Sequence, residues 1–356
     1  MANTDPVVDV GPLASWVLDE ARQHAVVRVA QVGAVSRGLR GEALAELLEL
    51  VEAGAIAFSD DGRSIDNGDV LLHALRYLRG TGRPILLHLQ DPGLSVDGVM
   101  HEGAWSARLG MRGVPSAAES GPLSRDLEVL RYAVSEVAAL GSTDFPRLHV
   151  QHVSAAASVR LLREAKTLGL PVTAEATPHH LLLTDERVKD FDPNLKINPP
   201  LRSEADRLEL VAALAEGAID CVATDHAPHA PHEKEVPFEE APFGALGLET
   251  AFPALNAGLV EPGHLTLERL IEAMSAGPCR CLGLQAPHLR VGAPADFCLV
   301  DLDESWVFTS ADLFGKSRNS AFLGERGRGR VLLTMVDGAM RHVAGRVREE
   351  LEGVQE

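Results

Sequence analysis

Apolar, β-branched runs alternate with segments of helical period from about residue 25 to about residue 225. The strand candidates are "AVVRVAQVGAV", "AIAFSDDG", "PILLHLQD", "RLHVQHVS", "PVTAEATPHH" and "DCVATDHAPH", each a short run suited to burial on both faces. Between them, "RGEALAELLELVEAG", "NGDVLLHALRYLRGTG", "LSRDLEVLRYAVSEVAALG", "AAASVRLLREAKTLG" and "SEADRLELVAALAEG" space their apolar residues as helices do, and several close on a glycine suited to a C-cap. This alternation predicts a parallel sheet covered by helices. Six such strands are visible where a closed (β/α)8 barrel needs eight, and nothing before residue 25 supplies the other two. After about residue 250 the helical pattern runs on through "LTLERLIEAMSAG" and then changes to "PADFCLVDL", "SWVFT" and "GRVLLTMVDGAMRHVAGRV", which predict a small all-β module.

The 356 residues are 46% hydrophobic and 24% charged, the balance of a soluble globular chain large enough for a sizeable core. A formal net charge of -18 argues against any general affinity for nucleic acid or anionic membrane. An anionic small substrate would need a local positive centre, such as a metal or a few placed basic groups. The start, "MANTDPVVDV", has no basic or apolar leader pattern, and no run reaches the length of a membrane span, so a cytoplasmic location is expected. Cys221, Cys279, Cys281 and Cys298 are too few and too scattered for a disulfide framework. The C-x-C pair Cys279 and Cys281 reads as core or loop thiols more readily than as a metal site.

The strands end on chemistry. Asp61 follows "AIAFSD", His88 ends "PILLH", His152 ends "RLHVQH", His179 and His180 follow "TAEATP", and Asp225 follows "DCVAT". In a (β/α)8 barrel the carboxyl ends of the strands share one mouth, so these residues would converge there. Taken singly, a strand-end histidine is more often a hydrogen-bonded support than a ligand, and Asp61 in "SDDG" could open a turn; His149 and His179 keep that plainer reading. Asp61, His88, His152 and Asp225 together form a nitrogen–oxygen donor set suited to zinc or a related divalent ion, rather than to calcium or an iron–sulfur cluster.

The ordered blocks "MANTDP", "FSDDG", "HVQHVS", "TAEATPHHLLLTDE", "KINPPLR", "ATDHAPH" and "PFGALGLET" resemble those of the bacterial class I dihydroorotases, within the amidohydrolase superfamily of cyclic-amide hydrolases. The resemblance runs along the whole chain. It implies a TIM-type metallo-hydrolase barrel over residues 1–285, here without its first two βα units, and a C-terminal β-sandwich segment over 286–356. It implies reversible zinc-dependent hydrolysis of (S)-dihydroorotate to N-carbamoyl-L-aspartate in pyrimidine (UMP) biosynthesis, with two zinc ions per complete subunit sharing Asp61. His88 and His152 are then the second-metal histidines, and Asp225 the metal-bound aspartate that moves a proton. Substrate contacts fall on Asn3, Asn198 and His229, with backbone contacts at Phe243 and Gly244. His226 is expected to shape its loop. Possible partners are a second copy in a homodimer and aspartate carbamoyltransferase.

The chain departs from the family in two places. The family's H-C-E-D block reads His88-Leu89-Gln90-Asp91, which keeps the ligand but loses a carboxylate beside it. The family's first-strand H-x-H-x-R motif does not occur, a gap that with the two missing strands amounts to about 60 residues. Two expectations compete: that the chain starts at an internal methionine of a longer enzyme, which is favoured, or that it is a non-catalytic scaffold partnering aspartate carbamoyltransferase. On either, the 356-residue chain is expected to be poorly stable and nearly inactive. The enzymatic alternative is a hydantoinase, dihydropyrimidinase or allantoinase; those resemble one another in a carboxylated lysine where Asp61 stands here.

Overall fold

The computed structural model describes residues 1–345. In chain order the strands are β1 (Val32–Gly33), β2 (Ala57–Phe58), β3 (Ile85–Leu87), β4 (Met100–His101), β5 (Gly113–Val114), β6 (Leu148–Val150), β7 (Val172–Ala176), β8 (Cys221–Val222), β9 (Phe297–Val307), β10 (Arg326–Val336) and β11 (Ala339–Val343). Six of them form one sheet in the order β1-β2-β3-β6-β7-β8, every pair parallel. The expected sheet is therefore present, with β1 and β8 as its edges.

Alternate residues of a strand face opposite sides of the sheet, and here the two sides differ in kind. Ile85 pairs with Leu148, and Leu148 with Val172; these residues, together with Leu87, Val150 and Ala174, join the main apolar core. On that side lie helices Gly68–Leu78, Ala117–Ala139, Ala156–Thr167 and Glu204–Glu216, each packed on the next. The intervening positions Leu86, His149 and Thr173 are paired in register on the other face, with Glu175 two residues on. A fully buried leucine such as Leu148 contributes about 1.5–3 kcal/mol, so the outer face holds the sheet while the inner one is free for polar chemistry.

Local signals set the helix ends. Asn67 and Ser203 accept hydrogen bonds from the backbone N–H of Asp69 and Asp206, and Gly217 ends its helix at φ 88°, as the terminal glycine of "SEADRLELVAALAEG" predicts. The first strand candidate yields less than its letters suggest. β1 pairs on one side alone, and Val26, Val27 and Val29 before it stay 62%, 49% and 48% exposed, having no sheet neighbour to pack on. Helix Gly11–His24 and the β4–β5 excursion, which carries the short helix Ala104–Leu109, are additions to the predicted pattern.

β9, β10 and β11 form a separate antiparallel sheet in the order β11-β10-β9. Of the expected sandwich, this one layer is present among the described residues; positions 346–356 lie outside them. Its Trp306 ring is covered by Arg330 and meets Phe308 edge-on, and Phe308 joins a second apolar cluster with Ile197, Phe238 and Phe322. No helix among the described residues is long and apolar enough to cross a membrane.

Candidate metal centre and active site

A cavity of about 670 Å3 opens at the carboxyl ends of the parallel strands and runs down their inner face, bordered by both edge strands through Val32 and Cys221. Asp61, His88, His152 and Asp225 all line it, as do Asn3, Asn198, Phe243 and Gly244.

The "SDDG" turn divides its two aspartates. Asp60 is buried and accepts from the backbone N–H of Val35 and Ser36, both at 2.9 Å, tying the end of β1 to β2. Asp61 is thereby turned to the cavity, where Oδ2 accepts from Asn3 Nδ2 at 3.1 Å. Asn3 thus touches the candidate ligand directly. His88, one residue past β3, donates Nε2–H to Gln90 Oε1 at 3.1 Å, and the same oxygen accepts from Asn198 Nδ2 at 2.7 Å. The amide of Gln90 supplies the acceptor that orients the ring, and it leaves His88 Nδ1 with a lone pair facing the cavity. That Nδ1 lies 3.0 Å from His152 Nε2 and 3.7 Å from Asp61 Oδ1.

Donor atoms of Asp61, His88 and His152 all lie within 4.8 Å of one another. Asp225 lines the same cavity but stands outside this group. His152 and Asp225 hold positive φ angles of 32° and 46°, a region costly for residues with a side chain and concentrated at functional sites. The donor set fits a divalent cation on two counts: two imidazoles and one carboxylate converge, and His88 is fixed in the ligand tautomer. Burial, then the neighbouring His152, pushes His88 down to about 4, so it is the neutral imidazole a cation requires at neutral pH. Burial raises the Asp225 carboxyl, opposed by His152 and reinforced by the negative charges of Asp61 and Glu175.

The far wall is a buckle of two loops. Buried Asn319 accepts from the His229 backbone N–H at 3.1 Å and donates to the carbonyls of Ala227 (2.9 Å) and Gly244 (3.2 Å). His229 Nε2–H donates to the Phe243 carbonyl at 2.9 Å, so its ring braces the wall instead of lining the cavity. At Gly244, φ is 124° and a Cβ would sit 2.6 Å from Ala227 Cβ, which explains the glycine. His226 Nδ1 accepts from the Gly247 N–H at 3.2 Å and shapes its loop.

Behind His152, Glu119 accepts from Ser154 and Ala155 N–H groups, and buried Arg202 donates to Ser154 Oγ (3.0 Å) and the Val114 carbonyl (2.7 Å) while lying 3.9 Å from Glu119. Arg202→Ala would strand that buried carboxylate and is expected to cost about 3–5 kcal/mol, read as a lower urea midpoint.

The "TPHH" histidines are supports as well. His180 donates Nε2–H to the Pro199 carbonyl at 2.9 Å, beside Asn198, and His179 Nε2 meets the Leu246 carbonyl at 3.3 Å. Burial holds His179 near 4 and His180 near 3, against 6.5 for a free imidazole. Between those values and 6.5 the unfolded chain binds more protons than the folded one. These three histidines, His88, His179 and His180, therefore contribute stability to the metal-free protein that is full above pH 6.5 and falls as the pH drops towards 4, outweighing the single Asp126 carboxyl that burial raises to about 6. Urea midpoints across that range check it, and a flat profile contradicts it.

Of the residues that sequence reasoning missed, Gln90, Glu175, Asn319 and Arg202 matter most. Glu175 carried a signal, a carboxylate inside the apolar run "PVTAEA"; Asn319, in the polar stretch "KSRNS", carried none.

The profile of the amidohydrolase family matches residues 44–341. The chain belongs to the amidohydrolase family. This amidohydrolase is 42% identical over 345 residues to the dihydroorotase of Geobacter sp. (strain M21), a match covering 97% of this chain and 78% of that protein. It is 45% identical over 348 residues to the dihydroorotase of Anaeromyxobacter sp. (strain K), with the same two shares, 97% and 78%. Among solved structures it is similar to the L-hydantoinase (dihydropyrimidinase) from Arthrobacter aurescens, with a TM-score of 0.76 and 26% identity over 96% of this chain and 75% of that one. The dihydropyrimidinase from Brevibacillus agri NCHU1002 shares the amidohydrolase's fold at a TM-score of 0.74 and 21% identity, over 92% and 72% of the two chains.

Proposed function

We propose that this amidohydrolase is a dihydroorotase, hydrolysing (S)-dihydroorotate to N-carbamoyl-L-aspartate and closing the ring in reverse. The observation that carries the reading is the convergence of Asp61, His88 and His152 on a cavity also lined by Asp225, in a chain 41–45% identical to named dihydroorotases. Asp61 Oδ1, His88 Nδ1 and His152 Nε2 would hold the cation, and zinc suits that donor set. When bound, it supplies Lewis acidity, lowering the pKa of a water and polarising the ring amide carbonyl.

The chain's own groups do the rest. Asp225 takes a proton from the attacking water as the carbon–oxygen bond forms, and gives it to the ring nitrogen as the carbon–nitrogen bond breaks. A carboxyl raised by burial holds that proton better than an ordinary aspartate. Asn198, anchored on Gln90, and the Phe243–Gly244 backbone, braced by His229 and Asn319, orient the ring for attack.

Assays of dihydroorotate, dihydrouracil, hydantoin and allantoin side by side test the substrate. The expected result is a preference for dihydroorotate on the order of 100-fold or more in kcat/KM. Preference for dihydrouracil or hydantoin would move the protein to the hydantoinase-like class.

A further inference from the structure

Deeper on the inner face, away from the strand ends, a second group of donors converges. His149 on β6, Glu175 on β7 and Cys221 on β8 bring a ring nitrogen, a carboxylate oxygen and a sulfur within 4.8 Å of one another. Cys281 approaches from helix Ala276–Leu282 and places its Sγ 3.7 Å from that of Cys221. All four border the floor of the cavity, and Cys279, the other half of the C-x-C pair, does not.

The donor atoms of His149, Glu175 and Cys221 have the spread of a coordination shell, and Cys281 stands beside that group, next to Cys221. Two thiolates each about 2.3 Å from a tetrahedral zinc lie about 3.8 Å apart, close to the observed 3.7 Å separation. The His149 ring is held in place: Nδ1 is hydrogen-bonded to Thr173 Oγ1 at 2.8 Å, and this directs Nε2 to the group, where Nε2–H donates to Glu175 Oε2 at 3.0 Å, a proton that a bound cation would displace.

We propose that His149, Glu175, Cys221 and Cys281 form a second, sulfur-bearing site for a thiophilic divalent cation of the zinc class. The cation would join β6, β7, β8 and the helix Ala276–Leu282. Glu175 would link it to the upper centre, because its other oxygen accepts from the His152 backbone N–H at 3.4 Å. The proposal does not depend on the substrate of the upper site, whose donors include no sulfur.

Cobalt(II) titration of the metal-free chain, kept reduced with a phosphine, separates the two sites, since thiolate-to-cobalt charge-transfer absorption arises at the lower one alone. The expected result is such a band in the unsubstituted chain and in His88→Ala and Cys279→Ser variants. The Cys221→Ser/Cys281→Ser double variant is expected to lose the band together with one equivalent of tightly bound zinc. Absence of the band in the unsubstituted, cobalt-saturated chain would overturn the proposal whatever the variants do. So would a band that survives loss of both cysteines, or one that Cys279→Ser removes.

Discussion

Replacing Asp225 by asparagine is expected to lower the turnover of dihydroorotate by about 100- to 10,000-fold in both directions while leaving metal uptake unchanged. The side chain sits past the end of β8 on backbone held at φ 46°, and asparagine keeps its size and can keep that conformation. What it cannot keep is a proton-carrying oxygen. Because Asp225 lies outside the Asp61–His88–His152 group, the cation should remain, and the loss should fall on kcat more than on KM. Steady-state kinetics with metal analysis of the same sample checks this. A loss below tenfold would take the proton transfer away from Asp225, and loss of the cation along with activity would place it among the ligands.

The second large effect is expected at His88. His88→Ala removes the Nδ1 donor and leaves Gln90 Oε1 with Asn198 alone. Zinc at about 1,000 times its dissociation constant stabilises a chain that binds it only when folded by about 4 kcal/mol. The variant is expected to lose the share of that stabilisation contributed by the upper centre and to lose hydrolysis with it. His152→Ala should behave alike, whereas His149→Ala should leave the upper centre's metal in place, since the two residues face different donor groups. Thermal melts with and without added zinc, paired with the hydrolysis assay, distinguish these cases.

The parallel sheet was legible because its outer face is continuous and apolar: Ile85, Leu87, Leu148, Val150 and Val172 leave no other way to bury themselves. The convergence of three candidate ligands was legible for a related reason, since a strand end is where an apolar run stops and a polar residue is conspicuous. Asp61, His88 and His152 stood out on that ground, and the structure brings them together. What could not be read was contact made across the chain. Asn319 reaches the His229 loop from the polar stretch before β10, and no periodicity foretells it. His229 reads as a substrate contact by position, yet its ring is bonded to the Phe243 carbonyl. Cys281 looked like half of a C-x-C pair, while its sulfur neighbour is Cys221, sixty residues earlier, on the facing strand. Gln90 reads as a lost carboxylate, but the orienting contact on His88 needs an acceptor oxygen, and an amide has one.

All of this turns on a cation held at the mouth of the barrel. The most direct test is anomalous diffraction at the zinc absorption edge from crystals grown with zinc. The account predicts a peak within coordinating reach of Asp61 Oδ1, His88 Nδ1 and His152 Nε2, on the cavity that Asp225 lines. Strand ends that carry no peak in a zinc-saturated crystal, with those three side chains still facing one another, would contradict it.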